Sequence, residues 1–539
     1  MEKLIVALQQ NQTRIISGWL GMAAAFCLAA APARATSPSP GLRTETKVIA
    51  TTGDPAPDGN GRFAAFDAPF LNSSGTVAFR ASLSGNGNDS DEGIYRGDGT
   101  TLSQVARTPQ VVPGGDGVFS SFGFPTINES GQVAFGAFLT MTNSPNTNAA
   151  IYRGTGAELV EIVRAGQTLP DGVGTFRNSS VLIDQPLINN LGQVAFPASI
   201  NGGAPSSGIF QGDGTEVVQI ARRFQPASDG MGIFYAIDSV PTQNNSGQVA
   251  FRIWYSDSPG DRGIFRSDGS DGVRIVRTGQ AAPEGNGTFL GVSKYVAIND
   301  SGAVAFYGTL SSPTRQGVFL GTESTVLQIA REGQIAPDGN GALHFFGRPA
   351  LNESGQVVFR ASLSGTIGGN NDNQGLFRTD GTTLIQIVRS AQTAPDGNGT
   401  FKFSTSVDSD LMPTINEKGQ IAFATQLFET AAGTSDNFGI FLFDDLSGLV
   451  QVARKGDSFL GSTITSLGFN PNTHYSVGTS GHERSGFNKT GTTRLAYEFA
   501  LADGRSGIAV WTLVPEPTSL LLAHLAAAAL LLAKMRFRA

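Results

Sequence analysis

The chain has 539 residues, of which only 15% are charged and 69 are glycine, and Phe (36) far outnumbers Tyr (8) and Trp (3), a composition that suits short strands separated by turns. Residues 36 to 514 carry 31 basic and 42 acidic side chains, a net of −11 with no basic run, which argues against nucleic acid as a partner. The single cysteine, Cys27, excludes an internal disulfide and a thiolate metal cluster.

At the amino end, Lys3 and Arg14 precede an apolar run from Ile15 to Ala31, followed by Ala33-Arg34-Ala35. This order predicts a secretory signal peptide over residues 1–35, cut at the small-x-small site formed by Ala33 and Ala35. Residues 36–46, rich in Pro and Ser, read as a linker. Order is expected from Lys47-Val48-Ile49-Ala50, which matches a strand that later ends in Arg107, Arg164, Arg222, Arg277, Arg331, Arg389 and Arg454.

The phrase Asn72-Ser73-Ser74-Gly75-Thr76-Val77-Ala78-Phe79 then sets the pattern. It recurs from Asn128, Asn189, Asn244, Asn299, Asn352 and Asn416 at intervals of 53 to 64 residues, with a worn copy at Asn488-Lys489-Thr490-Gly491. One unit, followed from Pro283, gives a strand over Thr288 to Ile298, a turn in which Asn299 and Gly302 supply positive φ, a strand over 303–310, a variable polar loop, a strand over 317–320 and a last strand over 326–331. Each unit is thus a four-stranded antiparallel meander, too small to bury both faces alone, so the copies must stack.

Eight segments of the first-to-third-strand type are followed by only seven fourth strands, and the missing one stands alone at Val48. Pairing the two ends completes eight sheets. The expected fold is therefore an all-β, eight-bladed β-propeller over residues 47–513, closed by the amino-terminal strand in the last blade. Seven blades with a divergent cap is the alternative, and β-helix coils are too short for the repeat. Phe79, Phe135, Phe196, Phe251, Phe306, Phe359 and Phe423 should pack between blades.

Few residues suggest chemistry. Asp58 and Asn60, in Pro57-Asp58-Gly59-Asn60-Gly61, alternate oxygen ligands as calcium loops do, but lack the further carboxylates such loops use; a Gly-rich turn explains them as well. The seven repeated arginines, several followed seven residues later by an acid, read either as one ion pair per blade or as a ring of cations able to hold an acidic polysaccharide. His474 and His482 fall in an irregular insertion before the worn repeat, where function could be added. No Ser/His/Asp order, HExxH or phosphate loop is present, so no catalytic residue and no cofactor is assigned.

The carboxyl end, residues 514–539, reads Pro515-Glu516-Pro517, an apolar stretch from Leu520 to Ala533 and a basic tail. Fourteen helical residues would cover roughly 21 Å of a ~30 Å hydrocarbon core. An ordinary tail anchor is one reading, since the basic end would hold it by the positive-inside rule. Motif, short transmembrane segment and basic end in this order resemble a PEP-CTERM sorting signal. The resemblance implies processing at Pro515, Glu516 and Pro517 by an exosortase as partner, transient insertion in the inner membrane of a Gram-negative bacterium, and export to the surface or extracellular matrix. The repeats in turn resemble a tandem-repeat family of surface proteins named for NxxGxxAF, which implies display and no assigned activity. The function expected is that of a non-enzymatic repeat protein binding or scaffolding extracellular polysaccharide or other matrix components. A glycan-active hydrolase or lyase and a purely structural adhesion or surface-layer component are the alternatives.

Overall fold

The computed structural model describes residues 43–514 apart from 86, 88–90, 180–185, 203–206, 239–240, 257–259, 271, 312–314, 405–412 and 470–486. Alternation of Phe, Val and Ile with small or polar residues, broken by Gly-rich turns, yields strands almost throughout. After β1 (Arg43–Thr51), the first blade comprises β2 (Arg62–Phe66), β3 (Phe70–Leu71), β4 (Val77–Ser84), β5 (Glu92–Gly97) and β6 (Leu102–Arg107). The sheet runs β2-β4-β5-β6, and β3 also pairs with β4, so β2 and β3 are two halves of one interrupted strand.

The same break interrupts the strand expected over Thr288 to Ile298, which splits into Phe289–Val292 and Ala297–Ile298. In six blades a proline, Pro69, Pro125, Pro186, Pro241, Pro349 or Pro413, stands at this break, three residues before the repeat Asn. Proline has no N–H to give a ladder.

Eight sheets of this kind form a closed eight-bladed propeller. In the last one, β1 pairs antiparallel with Ser506–Val514, from Arg43 opposite Val514 to Thr51 opposite Gly507, followed by Arg494–Leu501 and Ser462–Gly468. The amino-terminal strand therefore serves as the fourth strand of the eighth blade, as the unequal strand count requires. It begins at Arg43, inside the stretch read as linker, because the long partner strand offers Thr46 and its predecessors a ladder as far as Val514.

The core lies between blades. Eight apolar clusters each draw on two neighbouring sheets; the closing one joins Ile49, Ala496 and Ile508 to Phe63, Leu71 and Phe79. Phe79 is fully buried, stacks on Tyr95 at 5.8 Å between ring centroids, and Phe63 meets Tyr95 edge-on at 4.9 Å. Phe135, Phe196, Phe251, Phe306, Phe359 and Phe423 are likewise at most 1% exposed.

The repeat Asn does a different job from the one its sequence context suggests. Positive φ falls to the glycine, as at Gly75 (φ 95°), and none of the eight repeat asparagines adopts it. Each Asn side chain is at most 2% exposed. Asn72 accepts the Thr76 N–H within its own turn (2.9 Å) and donates Nδ2 to the Asn128 carbonyl of the next blade (3.1 Å). Asn128 donates to Asn189, Asn189 to Asn244, Asn244 to Asn299 and Asn352 to Asn416 in the same way. An amide carries a donor and an acceptor, so one residue can close a hairpin and fasten it to its neighbour.

These turns lie at the inner rim of one face, because successive two-residue strands such as β3 approach one another around the ring. The residues after the asparagines form a second circle. Each N–H donates to the next blade's side chain: Ser73 to Glu129 (2.9 Å), Glu129 to Asn190 (3.0 Å), Asn190 to Asn245 (3.0 Å), Asn245 to Asp300 (2.8 Å), Asp300 to Glu353 (2.7 Å) and Glu353 to Glu417 (2.9 Å). Glu417 then donates to the Lys489 carbonyl (3.0 Å), and Thr490 N–H to Ser73 Oγ (3.0 Å) closes the circle.

Candidate functional site

The repeated arginines sit at the ends of the fourth strands and are largely committed within their own blades. Arg107 reaches Asp58 (2.6 Å) and Asp91 (3.2 Å), Arg389 reaches Asp338 (2.7 Å), Arg454 reaches Asp396 (2.6 Å), and Arg222 is paired with Asp171. Arg164 contacts Asp116 and Glu161, and Arg277 contacts Asp261 and the Met231 carbonyl. For Arg107, Arg164, Arg222, Arg389 and Arg454 a partner is the acid of the turn that opens the same blade, some fifty residues earlier, and not the acid seven residues later, because that later turn already belongs to the next blade. Arg331 differs: its side chain is exposed and makes no ion pair among the described residues. Its blade carries Glu284 in the opening turn and Arg315 where the first and fourth blades place Asp91 and Asp261.

Asp58 uses one carboxylate oxygen to accept the Asn60 N–H (3.0 Å) and the other to accept from Arg107 (2.6 Å). This is an Asx turn locked by an ion pair. Among the described residues no group of three or more His, Cys, Asp or Glu side chains converges as metal ligands do. His344 is joined to Glu332 (3.0 Å) on the inner strand of the sixth blade. His474 and His482, like Ala33, Ala35, Pro515, Glu516 and Pro517, lie outside the described residues. Among the described residues no helix is long and apolar enough to cross a membrane.

The inner wall breaks the repetition. The position that follows the first buried apolar residue of each inner strand holds Ala64, Ser120 and Thr465 in blades one, two and eight, but Arg177, Tyr235, Leu290, His344 and Lys402 in blades three to seven. Within that half, a cleft of about 400 Å³ opens between the fourth, fifth and sixth blades, lined by Arg252, Arg262, Lys294 and Arg348 with Tyr295 and Tyr307, and by no carboxylate. The strand break of the fifth blade, Ser293-Lys294-Tyr295-Val296, has no proline and supplies a cation and an aromatic ring instead.

Several contacts fix this geometry. The Arg262 guanidinium lies 4.1 Å above the Trp254 ring and that of Arg348 3.4 Å above Tyr295; Lys294 Nζ is 4.8 Å from the same ring. Arg252 is anchored by Asp238 (2.6 Å) and donates to the Val292 carbonyl (3.0 Å). Ser293 Oγ donates to the Tyr295 carbonyl (2.6 Å) and holds the break in shape. Gly291 leaves space for Thr309, since a Cβ there would stand 2.8 Å from Thr309 Oγ1 while keeping ordinary contact, 3.5 Å, with Arg262 Nη1. A guanidinium stacked on an aromatic face, as Arg262 is on Trp254, is oriented by the ring, and the half-buried rings of Tyr295 and Tyr307 add apolar surface against which a sugar could pack.

On the far side of the ring, Glu498 of the eighth blade occupies the position that Arg80 and Arg252 hold in the first and fourth. Burial, and secondarily the charge of Asp67, push its carboxyl up to about 7. A carboxyl whose folded pKa exceeds its unfolded one favours the fold while protonated, so stability is lost as pH rises from about 4.5 through about 7. Glu498→Gln is expected to flatten this part of the profile, which urea denaturation at a series of pH values would show.

The arrangement bears on relationship as well. Two overlapping stretches, residues 40–169 and 138–521, match the family described as "Family of unknown function (DUF7453)". The chain belongs to that family. No curated protein matches the sequence of this DUF7453 member. Among solved structures it is similar to the β-propeller domain of the Trilobed protease from Pyrococcus furiosus, at 12% identity over 74% of this chain and 100% of that one, with a TM-score of 0.38. It is also similar to a puromycin-hydrolyzing peptidase of Mycobacterium tuberculosis (11% identity, 87% and 62% covered, TM-score 0.35) and to an oligogalacturonate lyase in complex with manganese (11%, 90% and 99%, TM-score 0.33). Likeness of this depth carries no functional argument for the DUF7453 chain.

The cleft residues were not singled out by sequence reasoning, since they come from three repeats. The one signal that marks them is local: the fifth blade alone among the first seven replaces the proline before the repeat Asn, with Val296.

Proposed function

We propose that the protein is exported to the surface or extracellular matrix of a Gram-negative bacterium, after processing by an exosortase, and there binds acidic polysaccharide without transforming it. The observation that supports this reading is the cleft with four cations and two tyrosines but no carboxylate, in a chain whose net charge is negative. Anion recognition by Arg and Lys, with ring stacking on Tyr, is the chemistry such a lining offers. A glycan hydrolase or lyase would need a proton donor or base beside the bound sugar. Glu498 has the raised pKa for that role, but it stands in the eighth blade, across the ring from the cleft.

The test is titration of the mature chain with polygalacturonate and alginate, and with neutral dextran as control. Binding of the acidic polymers alone is expected, weakened about 10- to 100-fold by the double substitution Arg262→Ala and Lys294→Ala, the loss of two charged contacts. Equal binding of dextran, or no binding of either acidic polymer, would overturn the reading.

A further inference from the structure

The two ends of the central channel are not alike. At the face that carries the repeat turns, the eight-membered circle from Ser73 to Lys489 is closed by hydrogen bonds of 2.7 to 3.0 Å. Lys489 of the eighth blade points its ammonium across the circle, to Glu353 (2.8 Å), Asp300 (3.7 Å) and Glu417 (3.9 Å) of the sixth, fifth and seventh blades. A side chain that touches blades on the far side of a ring fills the opening at that level, and this one is only 12% exposed. Next to it lies the circle of buried asparagines. The repeat turns therefore seal one end.

The cleft lies above this seal and runs outward from the inner strand of the fifth blade, Gly291 to Tyr295, to Arg252, Tyr307 and Thr309 on second strands and Arg262 at the start of a third strand. It reaches from Thr309 and Arg262, at strand ends on the opposite face, down to Tyr295 and Arg348 at the mid-strand breaks of the fifth and sixth blades. Whatever occupies it enters and leaves by the face opposite the repeat turns.

We infer that the channel is a blind cup and that the cleft takes the end of an anionic polysaccharide chain, or the tip of a charged side branch, and not an internal segment. This rests on the reading of the cleft as an acidic-glycan site. A polymer threaded along the axis would have to displace the Lys489 cluster and its circle of hydrogen bonds. A stiff polyuronate lying across the face opposite the repeat turns would not dip to Lys294 and Tyr295, at the mid-strand break of the fifth blade. A chain end meets neither obstacle: it can lower its terminal carboxylate between the cations while the rest of the polymer stays outside.

The experiment uses the mature chain, long polygalacturonate and the same polymer digested to short oligomers, compared at equal uronate mass by analytical ultracentrifugation. End recognition predicts that the amount of protein bound rises in proportion to the number of chain ends created, and that a long chain carries no more copies than it has ends. Protein bound in proportion to total uronate, with copies per chain growing with length, would overturn end recognition while leaving acidic-glycan binding in place. Absence of binding to both forms would overturn both.

Discussion

Replacing Lys489 by methionine is expected to destabilise the protein by about 3 kcal/mol at neutral pH, the low end of what removal of one partner from a buried ion cluster costs. Methionine keeps much of the volume, so the loss reports charge and not packing. Three carboxylates, those of Asp300, Glu353 and Glu417, would then face one another with side chains only 21 to 35% exposed. Burial alone would lower the pKa of Lys489, yet the three acids outweigh it and hold the ammonium above its ordinary range. Glu417 is already pushed upward, chiefly by burial. In the variant its proton should bind more readily still, so the deficit should shrink as pH falls and grow as pH rises. Urea midpoints at pH 5 and pH 8 would measure this; a methionine variant as stable as the parent at both would show that the seal contributes nothing to the ring. Partial recovery by adding Glu417→Gln would identify the repulsion directly.

Lys489 also shows how far the sequence could be read. The blade count was legible because strand number is a matter of counting: eight phrases, seven following Arg-bearing strands and one stray copy at Val48 leave one way to close the ring. The burial of the repeat Phe was legible for a similar reason, since a small sheet with apolar residues on both faces has to be covered on both. What an alternating pattern cannot convey is which atoms meet across blades. Asn72 was expected to bend the chain, and instead Gly75 does so while Asn72 reaches Asn128. The worn phrase Asn488-Lys489-Thr490-Gly491 looked like decay, yet one of its departures, Lys in a position elsewhere filled by Ser, Asn, Asp or Glu, supplies the cation that the other blades' acids require. The cleft was hidden for a related reason, as Arg262, Lys294 and Arg348 are separated along the chain and meet only because neighbouring blades pack the third strand of one against the inner strands of the next two.

The arginine series allows one repeated position to be tested against itself. Arg454→Met is expected to cost about 3 to 5 kcal/mol, whereas Arg331→Met should change stability by less than about 0.5 kcal/mol. Arg454 is 2% exposed; it bonds Asp396 at 2.6 Å, lies 3.7 Å from Asp436, and donates Nε to the Asp436 carbonyl at 2.7 Å. Asp436 is itself 9% exposed. Burial would raise its pKa, but hydrogen bonds from Thr430, Asn398 and the Ala432 N–H, with the charge of Arg454, keep it below the ordinary carboxylate value. Loss of the guanidinium leaves this charge buried with its neutral donors alone, and a carboxylate in that position is far costlier than an exposed one. Arg331 has the same place in its repeat and likewise follows an Ala at the end of a fourth strand, but its side chain is exposed and its opening turn makes no ion pair with it among the described residues. Thermal melts of the two variants separate the effect of the pair from that of the residue type. Equal losses at both positions would mean that the arginines stabilise by packing against the fourth strand, and that the Asp396 and Asp436 contacts add little.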